Sequence, residues 1–163
     1  NIVLVIGKTE GHIDQSLLSR IILNEKNGPP PEINLFNEKN NGLTLLNLME
    51  KNFIKSAHDV SLGGIITAIS KMCIKGNKGI QIKKPKFLIN EIEYFFAEDQ
   101  GRYLIEINLK DFKEVSKILD KNSVHYDEIG KIIDKEMIID QKTKLTIDEL
   151  KSYNTNWLKS YMV

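Results

Sequence analysis

The chain is short of cysteine, of long apolar runs and of any surplus of one charge, and each shortage removes a class of protein. A single cysteine, Cys73, excludes an internal disulfide and any zinc site built on clustered thiols. Its setting, Ile69-Ser70-Lys71-Met72-Cys73-Ile74, is apolar, so a buried thiol is expected rather than a nucleophile. With 23 Lys and Arg interleaved among 22 Asp and Glu, no single-sign surface points to nucleic acid or to an anionic membrane. No apolar run approaches the roughly 20 residues that a membrane helix needs, and no basic-then-apolar leader is visible. The setting these absences lead us to expect is a reducing cytoplasm, with neither nucleic acid nor membrane as a partner.

What is present is enough for one compact unit spanning 1–163, since 163 residues support a substantial core without requiring a second domain. The chain opens Asn1-Ile2-Val3-Leu4-Val5-Ile6, without a methionine and already within a strand-like run. A fragment of a larger polypeptide is expected, with processing as the other route to such a start.

Ile2 to Ile6 is aliphatic throughout, as in a strand buried on both faces. Asp14 is placed to cap a helix carrying Leu17, Leu18, Ile21 and Ile22, which Gly28-Pro29-Pro30-Pro31 would stop. Leu45, Leu46, Leu48 and Met49 argue a second helix within Ile33 to Phe53, with Gly42 a weak point. Gly79 to Ile82 alternates like a strand, and Pro85 separates it from a short helix around Ile92 to Phe96. Gly101 to Ile107, Val124 to Ile133 and Met137 to Ile139 read as further strands. Leu109 to Leu119 is amphipathic, and Thr146-Ile147-Asp148-Glu149 is a capping-box pattern opening a last helix toward Trp157 and Tyr161. Strands separated by amphipathic helices imply a sheet covered by helices, and the order strand, helix, strand from Gly101 to Ile133 allows a parallel crossover.

The richest stretch is Ser56-Ala57-His58-Asp59-Val60-Ser61-Leu62-Gly63-Gly64-Ile65-Ile66-Thr67. One reading is a strand turning into a helix, with Ser61 as N-cap and the glycines lending backbone freedom; the helix would bury Ile65, Ile66, Ala68, Ile69 and Met72 and end at Gly76. The other is a phosphate and cation site. Backbone N–H groups of Gly63 and Gly64 at a helix start attract phosphate oxygens, and Asp59 can hold the accompanying Mg²⁺. His58 could bond a phosphate or orient a water. A second polar run, Ala97-Glu98-Asp99-Gln100-Gly101-Arg102, either completes a polar pocket or is an exposed turn. His12 and His125 lack metal-motif spacing, and Ser16 and Ser61 lack a local base or a nucleophile elbow, so hydrolytic catalysis is not supported.

Taken in order, these segments resemble a family. "SAHDVSLGG" is similar to the His-Asp-x-Ser-Asp-Gly-Gly motif in the C-terminal domain of phosphoribosylformylglycinamidine synthase, and "AEDQGRYLIEI" resembles a second motif of that domain. "GKTEGHIDQSLLSRI" and "GPPPEINLFNEKNNG" resemble its first helix region and proline-containing connector. The resemblance is strong from Ile2 to about Ile107 and weaker beyond. It implies an α+β fold of the PurM-like C-terminal type, a mixed sheet flanked by helices in α/β/α layers, and the last of four domains of a larger synthase.

It also implies a role in de novo purine biosynthesis, in which ATP and Mg²⁺ activate the amide of formylglycinamide ribonucleotide for attack by glutamine-derived ammonia. The implied partners are the remaining domains of the same synthase, a glutaminase component and the small ribonucleotide substrate. This last domain is expected to supply no catalytic residue, to be inactive as an isolated chain, and to form part of an auxiliary site for Mg²⁺ and ATP or ADP. By position, Asp59 matches the Mg²⁺-binding aspartate and Ser61 the nucleotide-contacting serine, with Gly63 and Gly64 keeping the corner and His58 beside them. Leu62 stands where the motif has aspartate, Lys8 where it has an acidic residue, and Ile13-Asp14 where it has Leu-Gly. Lost carboxylates weaken attraction for Mg²⁺. The rival expectations are a structural and interaction domain that binds no nucleotide, or the equivalent domain of a related synthetase or kinase.

Overall fold

The computed structural model describes residues 1–83 and 90–162. Strand β1 (Ile2–Ile6) forms because five consecutive aliphatic residues can be buried only where both faces of a sheet are covered, and all five are buried. Around it lie β2 (Ile54–Asp59), β3 (Gly79–Ile82), β4 (Tyr103–Ile107), β5 (Tyr126–Ile133), β6 (Glu136–Ile139) and β7 (Thr143–Thr146), in the order β2-β4-β1-β5-β3-β6-β7. Each neighbouring pair is antiparallel except β3 with β6, so the sheet is mixed. β4 and β5 both run antiparallel to β1 and flank it, so the helix between them makes a crossover with β1 inserted in the middle.

Helices cover both faces. On one side Ile2, Leu4 and Ile6 pack with Leu45 and Leu48 of α1 (Leu35–Glu50) and with Val115 and Leu119 of α4 (Phe112–Lys121). On the other, Val3 and Val5 belong to a cluster with Ile65 and Ile69 of α2 (Gly64–Gly76), Tyr94 and Phe95 of α3 (Glu91–Phe96), and Ile147 and Leu150 of α5 (Ile147–Tyr161). The alternation of the strand thus divides one apolar run between two cores. Each fully buried Ile or Leu contributes about 1.5–3 kcal/mol, and this layering is the α/β/α, α+β architecture expected from the sequence.

Local rules set several boundaries. The Thr146 hydroxyl accepts the Glu149 N–H at 3.2 Å while the Glu149 carboxylate accepts the Thr146 N–H at 2.7 Å, the expected capping box at the start of α5. Asn34 caps α1 by accepting the Asn37 N–H at 3.0 Å. α1 runs unbroken through Gly42.

Other expectations require correction. The Leu17–Ile22 stripe forms only a five-residue π turn, Leu18–Ile22, without a side-chain cap from Asp14, and Ile21 and Ile22 are exposed. Ser61 is not an N-cap: Gly63 holds that position at φ +81°. α2 ends through Asn77 in the left-handed region, one residue beyond Gly76. Pro85 lies outside the described residues. β7 was not foreseen, because Thr143-Lys144-Leu145-Thr146 carries one aliphatic residue and is held by its pairing with β6. Cys73 is buried as expected, and that burial pushes its thiol up to about 11.

Candidate functional site

The corner between β2 and α2 sits beside the loop between α3 and β4, and the two are built differently. β2 and β4 pair antiparallel with Asp59 opposite Tyr103, which brings Asp59 and Ser61 alongside residues 98–103. A small cleft of about 230 Å³ opens there, lined by Glu38, Asp59, Ser61, Leu62, Glu98 and Gln100 among others.

Asp59 keeps 68% of its side chain exposed, and His58 Nδ1 lies 3.2 Å from its carboxylate. The same ring nitrogen lies 2.6 Å from the Asp59 carbonyl oxygen, to which it donates when it carries the proton. Ser61 and Leu62 are exposed. Asp59 and Ser61 therefore offer a carboxylate and a hydroxyl to whatever enters the cleft. Among the described residues, no group of three or more potential metal ligands converges. A Mg²⁺ here would draw one carboxylate from the chain and its remaining oxygens from phosphates and water, which is how that ion is commonly held in phosphate-transfer sites.

The two glycines serve a tighter purpose. Gly64, at φ +69°, lies so close to α3 that a Cβ would stand 2.6 Å from the carbonyl oxygens of both Phe95 and Ala97. At Gly63 a Cβ would run into Thr67. The Gly63 N–H donates to Glu98 Oε1 at 2.7 Å, and the Gly64 N–H donates to the Ser61 carbonyl at 3.0 Å. Glu98 also accepts the Leu17 N–H at 2.8 Å. The anion at the start of α2 is thus Glu98 itself, and the Gly63 and Gly64 amides are already engaged.

The neighbouring polar run is a buried knot, and the exposed-turn alternative for it is overturned. Asp99, 7% exposed, accepts the N–H groups of Glu10 at 3.0 Å, Gly11 at 3.2 Å and His12 at 3.1 Å. Arg102, 1% exposed, donates to the Asp99 carbonyl at 3.1 Å, the Ala97 carbonyl at 2.7 Å and the Thr9 hydroxyl at 3.0 Å, and its guanidinium lies 3.7 Å from the Asp99 carboxylate. Burial pulls its guanidinium down from the usual value, while the Asp99 charge opposes that shift. The knot pins the 9–12 loop to the sheet and forms a side of a larger adjoining cleft of about 780 Å³, with Lys8, His12, Pro30, Asn37, Asn41 and His125 on its walls. His12 holds that wall together through a 2.8 Å contact between Nε2 and the Pro29 carbonyl. His125 lies 3.4 Å from Asp127, whose carboxyl is raised above its usual range by burial.

Of the residues singled out from sequence, Asp59, Ser61, Gly63 and Gly64 come together at one corner with His58 at its edge. Glu98 belongs by sequence to the polar run, yet its carboxylate bonds the start of α2. No periodic signal links it to partners 35 and 81 positions away.

A mixed, doubly covered sheet whose β2 strand turns through two glycines into a helix, beside a polar loop locked by a buried arginine, defines an α+β domain class. The model of the family described as "AIR synthase related protein, C-terminal domain" matches residues 1–142, and the chain belongs to that family. It is 67% identical over 162 residues to the phosphoribosylformylglycinamidine synthase subunit PurL of Pelagibacter ubique, covering 99% of this chain and 22% of the relative. The PurL subunit of Bartonella henselae is 32% identical over 160 residues, again across 22% of its length. The chain therefore spans about a fifth of the curated relatives it matches. Thermotoga maritima PurL complexed with FGAR shares the fold with a TM-score of 0.73 at 18% identity, covering 91% of this chain and 27% of that one. The same protein complexed with ATP superposes with a TM-score of 0.67.

Proposed function

We propose that this chain acts as the C-terminal domain of a phosphoribosylformylglycinamidine synthase, an ATP-dependent C–N ligase of purine biosynthesis working in the cytoplasm. The observation that carries this reading is the 67% identity over 162 residues to a PurL subunit. The remaining domains of the same polypeptide, a glutaminase component and the formylglycinamide ribonucleotide substrate are the partners that the reading entails. A solved PurLQS assembly from Thermotoga maritima with the same fold supports an enzyme of several components.

Within that enzyme the corner at Asp59 would be one wall of an auxiliary Mg²⁺–nucleotide site. The cleft, at about 230 Å³, is smaller than a self-contained small-molecule pocket of roughly 300–1,000 Å³, and a neighbouring domain would complete it. The exposed Asp59 carboxylate would hold Mg²⁺ and the Ser61 hydroxyl would touch a phosphate oxygen, with His58 steadying Asp59. Bound Mg²⁺ would supply charge neutralisation for the phosphates. Gly63 and Gly64 shape the corner by letting α2 approach α3, and their N–H groups are directed to Glu98 and Ser61, not outward. That engagement, together with the exposed Leu62, favours the second reading, a domain that stabilises the synthase and binds no nucleotide.

The test is thermal denaturation of the longer polypeptide with and without Mg²⁺ and ADP, combined with direct observation of nucleotide beside Ser61. A ligand binding only the folded state adds about 2.7 kcal/mol at a hundredfold excess over its Kd. Asp59→Asn is expected to lose the part of that increment due to this corner. If nucleotide never appears there and Asp59→Asn melts like the parent at every ligand concentration, the structural reading stands instead. Restored binding in Leu62→Asp would place the defect at that residue.

A further inference from the structure

Helix α1 carries large apolar side chains on its outward face as well as on its inner one. The face turned to the sheet includes Asn41 and Thr44 as well as Leu45 and Leu48, all buried. The face turned outward carries Leu35 at 75% exposure, Phe36 at 78%, Leu43 at 56%, Leu46 at 55% and Met49 at 39%. On a helix of 3.6 residues per turn these five fall within one broad stripe, interrupted by Lys39, Gly42 and Glu50. A helix covering a sheet ordinarily shows charge on that side.

The stripe does not serve the domain's own core, because the sheet beneath it is already sealed by the opposite side of the same helix and by α4. It also lies apart from the Asp59 corner, which α1 meets through Glu38. Large apolar side chains this exposed and this contiguous mark a surface that something covers.

We propose that the outward face of α1 is the docking surface for another domain of the same polypeptide, one that presents an apolar face of its own. This rests on the reading above, that the chain works as part of a longer synthase. Two observations select this occupant over a second copy of the chain. The relative that is 67% identical devotes 22% of its length to the matching region, so most of its polypeptide lies elsewhere. The stripe presents five large side chains on one 16-residue helix, against the roughly 20–30 residues a side of a stable free-standing interface. A tethered domain does not need that size, because linkage raises its effective concentration to about the millimolar range.

The experiment is hydroxyl-radical footprinting of the longer polypeptide, with Phe36 and Met49 as probes and the same protein unfolded in denaturant as reference. Both residues should label roughly tenfold more slowly in the native protein, as interface cores that exclude water do, and the protection should be unchanged on dilution. Leu43→Glu with Leu46→Glu should abolish the protection and lower the melting temperature, whereas charges on a solvated face would leave it unchanged or raise it. Native labelling as fast as in denaturant overturns the inference while leaving the family reading intact. Protection that fades on dilution overturns it in favour of a second copy. A natural polypeptide no longer than this chain would overturn the reading beneath it as well.

Discussion

The Asp99–Arg102 knot and the Asp59–Ser61 corner are adjacent, both polar and both parts of motifs visible in the sequence, yet they are built for opposite purposes. In the knot each charge is buried and nearly every polar atom is committed to a backbone partner, so its energy is spent on fixing the 9–12 loop. In the corner the carboxylate and hydroxyl are exposed, with His58 beside the carboxylate, while the backbone beneath them is committed. Motif residues thus divide into those that hold the site's shape and those left available to a ligand, and burial separates the two.

Arg102→Met should give the largest effect. It removes the buried cation beside Asp99 and leaves the Ala97 and Asp99 carbonyls without their donor, costing about 3–5 kcal/mol by analogy with other broken buried pairs. Chemical denaturation with an unchanged slope measures it, and a loss under about 1 kcal/mol would mean that the knot is no more committed than an ordinary surface pair. Gly64→Ala comes next. It combines left-handed strain of about 1–3 kcal/mol with displacement of the α3 backbone, and a neutral result would break the claim that the glycines serve packing.

Glu98→Gln keeps an acceptor but removes the charge opposite the Gly63 and Leu17 N–H groups, and should cost about 1 kcal/mol. It also offers a sharper test: if the internal carboxylate keeps phosphate away from the start of α2, this variant should bind inorganic phosphate or ADP more tightly, and titration calorimetry would show it. Asp59→Asn should have the smallest effect on stability, within about 0.5 kcal/mol without ligand. A larger loss would move Asp59 into the same group as Asp99.

The pH dependence carries the same contrast between buried and exposed groups. Burial raises the Asp127 carboxyl above its unfolded value, so its ionisation opposes folding. That contribution disfavours the native state increasingly as pH rises from the ordinary carboxylate range through the raised value. Asp127→Asn should therefore flatten the stability profile over that interval, and an unchanged profile would show that His125 and the other neighbours fully offset the burial.

Much of this fold was legible because its signals are local. The capping box at Thr146 and Glu149 needs four consecutive residues, and the alternation in Gly79-Ile80-Gln81-Ile82 needs only its own strand. The π turn at Leu18–Ile22 was read as a full helix because apolar spacing cannot register that Asn24 turns left-handed at φ +54° and that Glu98 takes the Leu17 N–H from a distant loop. The corner was legible as a cluster of residues. The division of labour within it was not, since where the Gly63 N–H points depends on a residue in the next motif.

The position of β1 inside the sheet, between β4 and β5, has a consequence for how the molecule comes into being. Ile2 pairs with Ile107 on one side and Lys131 on the other, so a fully aliphatic strand is synthesised long before either neighbour exists. At a synthesis rate of about 5–20 residues per second, it waits on the order of 5–20 s for its first partner. During that interval its unpaired edges are free to join other nascent chains, and the non-local closure that finally satisfies them is intrinsically slow. The domain's most buried strand is thus made before the strands that must enclose it.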